Sequence, residues 1–255
     1  MNFIRYTECP ISINGENFFA TSASVNSNAS LHPNRVDGGG LEGYAPTSPI
    51  ADSVSFEYYA SGDNDSVMQM TGHSPCSGSF GGIDFSGAYL TRYEVSIAPY
   101  KPISISASFD VYSGFNGSLK GQSGHFNSYP IDVANGAHTE LLNFDSASMG
   151  MDNPISIGYN ISCERTPNYV IGEDSPRYVT LGTINKSMNI DGENIGDLIS
   201  YSGISSASMS ITPKNINNLS RGQTMDCKGV IHHQKLSVSV GGVVNGSIGI
   251  MESYK

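Results

Sequence analysis

The sequence predicts an all-β protein with little helix, built as two tandem, similar β-sandwich domains. Three observations carry that expectation. Apolar and polar residues alternate with a period of two along stretches such as Ser53–Tyr59 and Ile103–Tyr112, the pattern of a strand with one buried face. Turn signals rich in Gly, Asn and Pro separate these stretches, and no amphipathic segment of helical spacing is long enough to make a helix of ordinary length. The chain also resembles itself. Sliding it by 134 positions lays Ser24–Asp63 over Gly158–Asp197 without a gap. Asn26 then falls on Asn160, Pro33-Asn34 on Pro167-Asn168, Val36 on Val170, Gly38 on Gly172 and Tyr44 on Tyr178, with Ile50 on Ile184, Ser53 on Ser187 and Gly62-Asp63 on Gly196-Asp197. Those ten identities compare with about three expected by chance in so Ser-, Gly- and Asn-rich a chain.

The likeness continues once small insertions are allowed. Gly72, Ser74, Ser77 and Ser79 meet Gly203, Ser205, Ser208 and Ser210 at an offset of 131. After an insertion around Thr212–Gly222, Leu90, Val95, Ile97 and Phe109 meet Ile231, Leu236, Val238 and Ile250 at an offset of 141. The expected organisation is therefore a first β repeat over residues 1–114, a connector or extended loop over 115–144, and a second β repeat over 145–255.

In chain order, Ile11–Ile13 and Phe18–Val25 flank Asn14-Gly15, a strong hairpin signal. His32-Pro33-Asn34 and Asp37–Gly40 read as turns, and Leu41–Ile50 as an irregular loop. Ser53–Tyr59 is a strand, Ser61–Asp65 a turn, and Val67–Thr71 a short strand leading to the Ser/Gly-rich Ser74–Gly82. Ala88–Ile97 and Ile103–Tyr112 form the best hairpin, with Leu90, Tyr93, Val95, Ile97, Ile105 and Phe109 on the apolar side. Gly114–Asn135 reads as a long loop and Thr139–Phe144 as a helical turn. Strands are then expected at Ile155–Cys163, Tyr178–Leu181, Lys186–Ile190, Ala207–Ile211, Lys228–His233, Lys235–Val240 and Gly246–Met251.

Composition narrows the function. The 255 residues suffice for a real core. Charged residues make up 14%, against about 25% in an average domain, and Trp is absent. Low charge with Tyr and Phe set in alternating runs points to an ordered protein whose polar surface is covered by neighbours. The net charge of −10 and thirteen scattered basic residues exclude specific nucleic-acid binding, which needs clustered Lys and Arg. An acidic wall can still serve as a conduit for DNA, because repulsion keeps the polymer from sticking. No apolar run is long enough to span a membrane, and Met1–Arg5 lacks the charged and apolar regions of a signal peptide, so folding in a cytoplasm is expected. Cys9, Cys76, Cys163 and Cys227 stand far apart and read as buried free thiols.

No constellation points to catalysis, a cofactor or a metal. His232-His233 near Cys227 is the obvious metal suspect, but neighbours on a strand face opposite ways, giving one His inward and one outward. Asp63-Asn64-Asp65-Ser66 and Asp191-Gly192-Glu193 with Asp197 resemble pieces of calcium loops without the full spacing, and turn chemistry explains them. Gly38–Gly40 and Gly81-Gly82 lack the Lys and the strand-to-helix context of a phosphate loop. The serines near His73 and His125 form no recognisable nucleophile motif. Tyr58, Tyr59, Tyr89 and Tyr100 are the candidate stacking platforms of a carbohydrate-binding module, the alternative from a different class.

The order of elements supplies a resemblance. An early Asn14-Gly15 hairpin, the Pro-containing loop Pro46–Ile50, the alternating Ser53–Tyr59 and the closing hairpin Tyr89–Val111 together resemble virion proteins of tailed bacteriophages, most closely tail tube proteins. That likeness implies a β-sandwich whose inner sheets join around a ring into one barrel, with a long loop reaching the next ring. The chain departs from the family in having no clear flanking helix. The implied function is a structural subunit, not an enzyme, polymerising into tube rings through which DNA passes without specific binding. Its alternatives are a capsid decoration, neck or fibre-associated protein. Two repeats per chain would make a trimer pseudo-sixfold, since closed rings repeat one interface by rotation. Partners are then other copies and other virion proteins, without a membrane, in a virion assembled in the host cytoplasm.

Overall fold

A computed structural model describes residues 11–18, 20–35, 41–60, 65–72, 74–98, 101–120, 140–144, 153–193, 206–212, 224–238 and 244–254, with 240 and 242. Among the described residues the regular elements are strands apart from one 3-10 turn, Met68–Thr71: β1 (Ile11–Ile13), β2 (Glu16–Phe18), β3 (Ala20–Asn28), β4 (Leu31–Arg35), β5 (Leu41–Pro46), β6 (Ala51–Tyr59), β7 (Cys76–Phe80), β8 (Ile83–Ile97), β9 (Ser104–Val111), β10 (Phe115–Gly117), β11 (Glu140–Phe144), β12 (Asn153–Asn168), β13 (Tyr178–Glu193), β14 (Ser206–Thr212), β15 (Met225–Ser237) and β16 (Asn245–Tyr254). The all-β class follows directly from the period-two alternation. In β9, for example, Ile105, Ala107, Phe109 and Val111 are buried, while Ser104 is exposed and Ser106, Ser108 and Asp110 are half-buried.

In the first half the ladders form one path whose end strands, β2 and β3, are joined by the chain and not by a ladder. β1 pairs with β2 and β7, β7 with β8, β8 with β9, β9 with β6, and β6 with β3, which begins two residues after β2 ends. The turn at Asn14-Gly15 has φ of 50° and 82°, the left-handed pair that a two-residue hairpin requires and Asn-Gly adopts readily. Phe56 stacks on Tyr58 and Phe109 at centroid distances of 5.4 and 6.1 Å and tilts against Phe18. Such ring pairs contribute about 0.5–1.5 kcal/mol each beyond their burial.

The second half is an antiparallel sheet of order β12-β13-β16-β15-β14-β11, with Met188, Ile190, Ile248, Ile250, Met209 and Cys227 buried. It is continuous with the first half. β12 lies on β8 with Tyr159 opposite Val95 and Ile161 opposite Tyr93, and all four side chains are buried in one shared core.

Several local expectations are corrected. His32-Pro33-Asn34 and Leu41–Pro46 are strands β4 and β5 of a separate two-stranded ribbon. Pro33 is tolerated there because a ribbon strand keeps one edge free of ladder bonds. Val67–Thr71 is not a strand: it contains the 3-10 turn, begun where the Val67 amide donates to Asp65 Oδ1 at 2.9 Å. Thr139–Phe144, read as a helical turn, contains β11, recruited by β14. Tyr178–Leu181 and Lys186–Ile190 are parts of one strand, as are Lys228–His233 and Lys235–Ser237. Asp37–Gly40, most of Ser61–Asp65, 121–135 of the long loop and Cys9 lie outside the described residues.

Candidate assembly surface

Two features of the shared sheet stand out: a repeated ladder geometry and a polar face. The ladders of β3, β6, β9 and β8 correspond at matched positions to those of β12, β13, β16 and β15. Val25 opposite Val54 becomes Tyr159 opposite Met188 when both numbers rise by 134. Val54 opposite Phe109 becomes Met188 opposite Ile250, and Leu90 opposite Phe109 becomes Ile231 opposite Ile250. Even the irregularity recurs: the register shifts between Leu90 and Arg92 in β8 and between Ile231 and His233 in β15. Such a bulge turns the following side chains over, which explains why Leu90 and Tyr93, three apart, share the buried face.

The other face of this sheet is lined mostly by hydroxyls, amides and carboxylates. One row across the strands runs Ser22, Glu57, Ser106, Glu94, Asn160, Ser187 and ends on the exposed apolar Met251 and Val230; the next runs Ser24, Ser55, Ser108, Arg92, Ser162, Asn185, Ser253. Over the β8–β12 joint, Glu57, Glu94, Ser96, Ser104, Asn160 and Asn189 surround a shallow hollow. Arg92 is ion-paired with Glu94, two residues away on the same strand, so the cation in this row is neutralised locally.

Arg165 fixes the joint from the side. Its Nε donates to the Leu90 carbonyl at 3.1 Å, Nη1 to Gly72 at 2.8 Å and Nη2 to Thr71 at 3.1 Å, and its guanidinium lies 5.4 Å from the Tyr89 ring centroid. A planar fork matches three carbonyls in a way an ammonium cannot. Burial lowers the Arg165 pKa from its ordinary value, yet guanidinium stays charged in proteins. Sequence reasoning missed this residue, whose hydrogen-bond acceptors are backbone carbonyls that leave no mark in the sequence.

The sequence suspects resolve into structural roles. Asp65 accepts from Tyr58 Oη at 2.9 and 2.7 Å, from Tyr93 Oη at 2.8 Å and from the Val67 amide. A carboxylate so supplied with donors is a fold anchor, and burial nonetheless raises its pKa while those hydrogen bonds oppose the rise. Burial, the Asp65 charge and the neighbouring hydroxyl push Tyr58 far up. Asp63 and Asn64 lie outside the described residues, as does Asp197. Asp191 accepts from Ser156 Oγ at 2.7 Å on the exposed face.

The expectation of one inward and one outward histidine is corrected. Both His232 and His233 are exposed, with ring centroids 6.4 Å apart, because the bulge breaks the alternation there. Cys76, Cys163 and Cys227 are free and buried. Burial pushes Cys76 and Cys227 up to about 11 and raises Cys163, so these thiols are poor nucleophiles. Gly81 and Gly82, with φ of 56° and 90°, form the tight β7–β8 turn. Gly38–Gly40, His73 and His125 lie outside the described residues. Among the described residues no group of three or more His, Cys, Asp or Glu could hold a metal ion, and no helix is long and apolar enough to cross a membrane.

Of the tyrosines weighed as sugar platforms, Tyr58 is buried, and Tyr89 lies between Arg165 and Tyr112, whose ring is 5.8 Å away. Tyr59 is 40% exposed, and Tyr100 is outside the described residues. No protein-family model matches the sequence, and no curated protein matches it.

Proposed function

We propose that the chain is a structural subunit of a viral particle that polymerises into rings of a tail tube, through which DNA passes without specific binding. The observation that carries this reading is the continuous sheet that spans both halves and turns outward a face made mostly of Ser, Asn and carboxylate side chains from β3 across to β13. Its Ser, Asn and carboxylate rows suit the wall of a channel for a polyanion, because they offer hydration and repulsion but few cations to hold phosphate. The net charge of −10 agrees. The correspondence of ladders at matched positions supports a doubled unit, so three chains would supply six quasi-equivalent positions in a stacked ring. Other virion proteins would then cap the stack, with assembly in the host cytoplasm.

Negative-stain microscopy of the purified chain tests the proposal. Rings or rods with an axial channel are expected. Globular trimers that coat a shell and never stack would replace the tube reading with that of a decoration protein, and a monomer at all concentrations would remove both.

A further inference from the structure

The joint between β8 and β12 has a counterpart that the described residues leave open. The β8 residues Arg92–Ile97 pair with β12. In the second half the corresponding residues run from His233 to Val238, the last just past the end of β15, and the described part of β14 pairs with β15 no further than Val230. Beyond that point the edge of β15 on the β14 side has no strand among the described residues. The counterpart of β12 is β3, whose edge away from β6 carries no strand along Ala20–Asn28 among the described residues. These are two complementary halves of one joint at opposite ends of the sheet.

We infer that the open β15 edge takes the open β3 edge of a second copy of this chain, antiparallel, with Val25 opposite Leu236. The joint inside the chain is thereby remade between chains. This rests on the reading of the chain as a self-assembling subunit and gives that subunit its interface.

Register fixes the pairing. Subtracting 134 from each β12 number and adding 141 to each β8 number turns Tyr159 opposite Val95 into Val25 opposite Leu236. It turns Gly158 opposite Ser96 into Ser24 opposite Ser237, and Ile157 opposite Ile97 into Ala23 opposite Val238. The transfer is legitimate because β8 on β9 and β15 on β16 share their register after the bulge: Val95 opposite Ile105 becomes Leu236 opposite Gly246. The same backbone donors and acceptors therefore point away from the ladder already made.

Burial points the same way. Val95 and Ile97 are 4% and 3% exposed beneath β12, whereas their counterparts Leu236 and Val238 are 45% and 71% exposed. An uncovered strand edge with exposed apolar side chains is a template for another strand. The contact joins unlike edges, so it is head to tail and yields a ring when the rotation closes.

Disulfide trapping tests it. In a chain with Cys9 replaced by Ser, the pair Ser24→Cys and Ser237→Cys is placed within bridging distance across the proposed ladder. Mild oxidation is expected to give a ladder of linked chains on a non-reducing gel. The pair Asn28→Cys and Ser237→Cys, displaced by four residues or about 13 Å, is expected to give none. Leu236→Asp, at a position 45% exposed in the single chain, is expected to weaken association at least tenfold in sedimentation while leaving the circular dichroism of the monomer unchanged. Oligomers without the in-register ladder would overturn this interface and leave the subunit reading standing. A ladder in particles that are neither rings nor rods would keep the interface and overturn the tube. Absence of any oligomer would overturn both.

Discussion

The Tyr93 hydroxyl donates to Asp65 Oδ2 at 2.8 Å, tying the shared core of β8 to the short turn that follows β6. Tyr58 donates to the same carboxylate. Hydrogen bonds to a charged acceptor contribute about 1.5–3 kcal/mol each. Tyr58→Phe and Tyr93→Phe are therefore each expected to destabilise the chain by roughly that amount in urea denaturation. The double variant should lose less than the sum, since both hydroxyls share one carboxylate.

Asp65 also sets a pH dependence with a definite sign. Burial raises its folded pKa above the ordinary 3.8, so between 3.8 and the raised value the folded chain binds the proton that the unfolded chain has released. Stability then rises as pH falls through that window. Asp65→Asn is expected to remove this slope. Subtracting its urea midpoints from those of the parent, pH by pH, isolates the contribution, and a difference that is flat or opposite in sign contradicts the assignment.

Arg165→Ala leaves the Leu90, Gly72 and Thr71 carbonyls without their guanidinium partner and uncovers Tyr89. A loss of about 2–4 kcal/mol is expected on equilibrium unfolding. Arg165→Lys should recover only a minor part, because a single ammonium cannot reach all three acceptors.

Gly229 faces the β16 backbone so closely that a Cβ would collide with the Met251 carbonyl oxygen, and backbone cannot step aside. Gly229→Ala is expected to cost about 1–3 kcal/mol, the usual penalty of overpacking. Gly158, beside open space in the polar face, should accept Ala with little change, which makes the pair a controlled comparison by thermal melting.

Much of the fold was legible locally. Asn14-Gly15, the alternation of β6 and β9, and the offsets that align Leu90 with Ile231 and Val95 with Leu236 each depend on a few neighbouring residues. What escaped is set by distant partners. Thr139–Phe144 becomes a strand through β14, Val67–Thr71 becomes a 3-10 turn through Asp65, and Pro33 sits in a strand through its ribbon partner Tyr44. Nothing in β8 or β12 alone announces that Tyr159 will lie opposite Val95. The Arg165 clamp was invisible for the same reason, while the exposed Leu236 and Val238 were visible as apolar residues but not as an open edge.

The most direct measurement is a cryo-microscopy map of the assembled particle, read at the strand beside Leu236. The account expects β3 of a neighbouring chain there, antiparallel, with Val25 across from Leu236 and the polar rows of Ser55, Glu94 and Asn160 facing an axial channel. Solvent beside Leu236, or a strand from any other part of the chain, would contradict it.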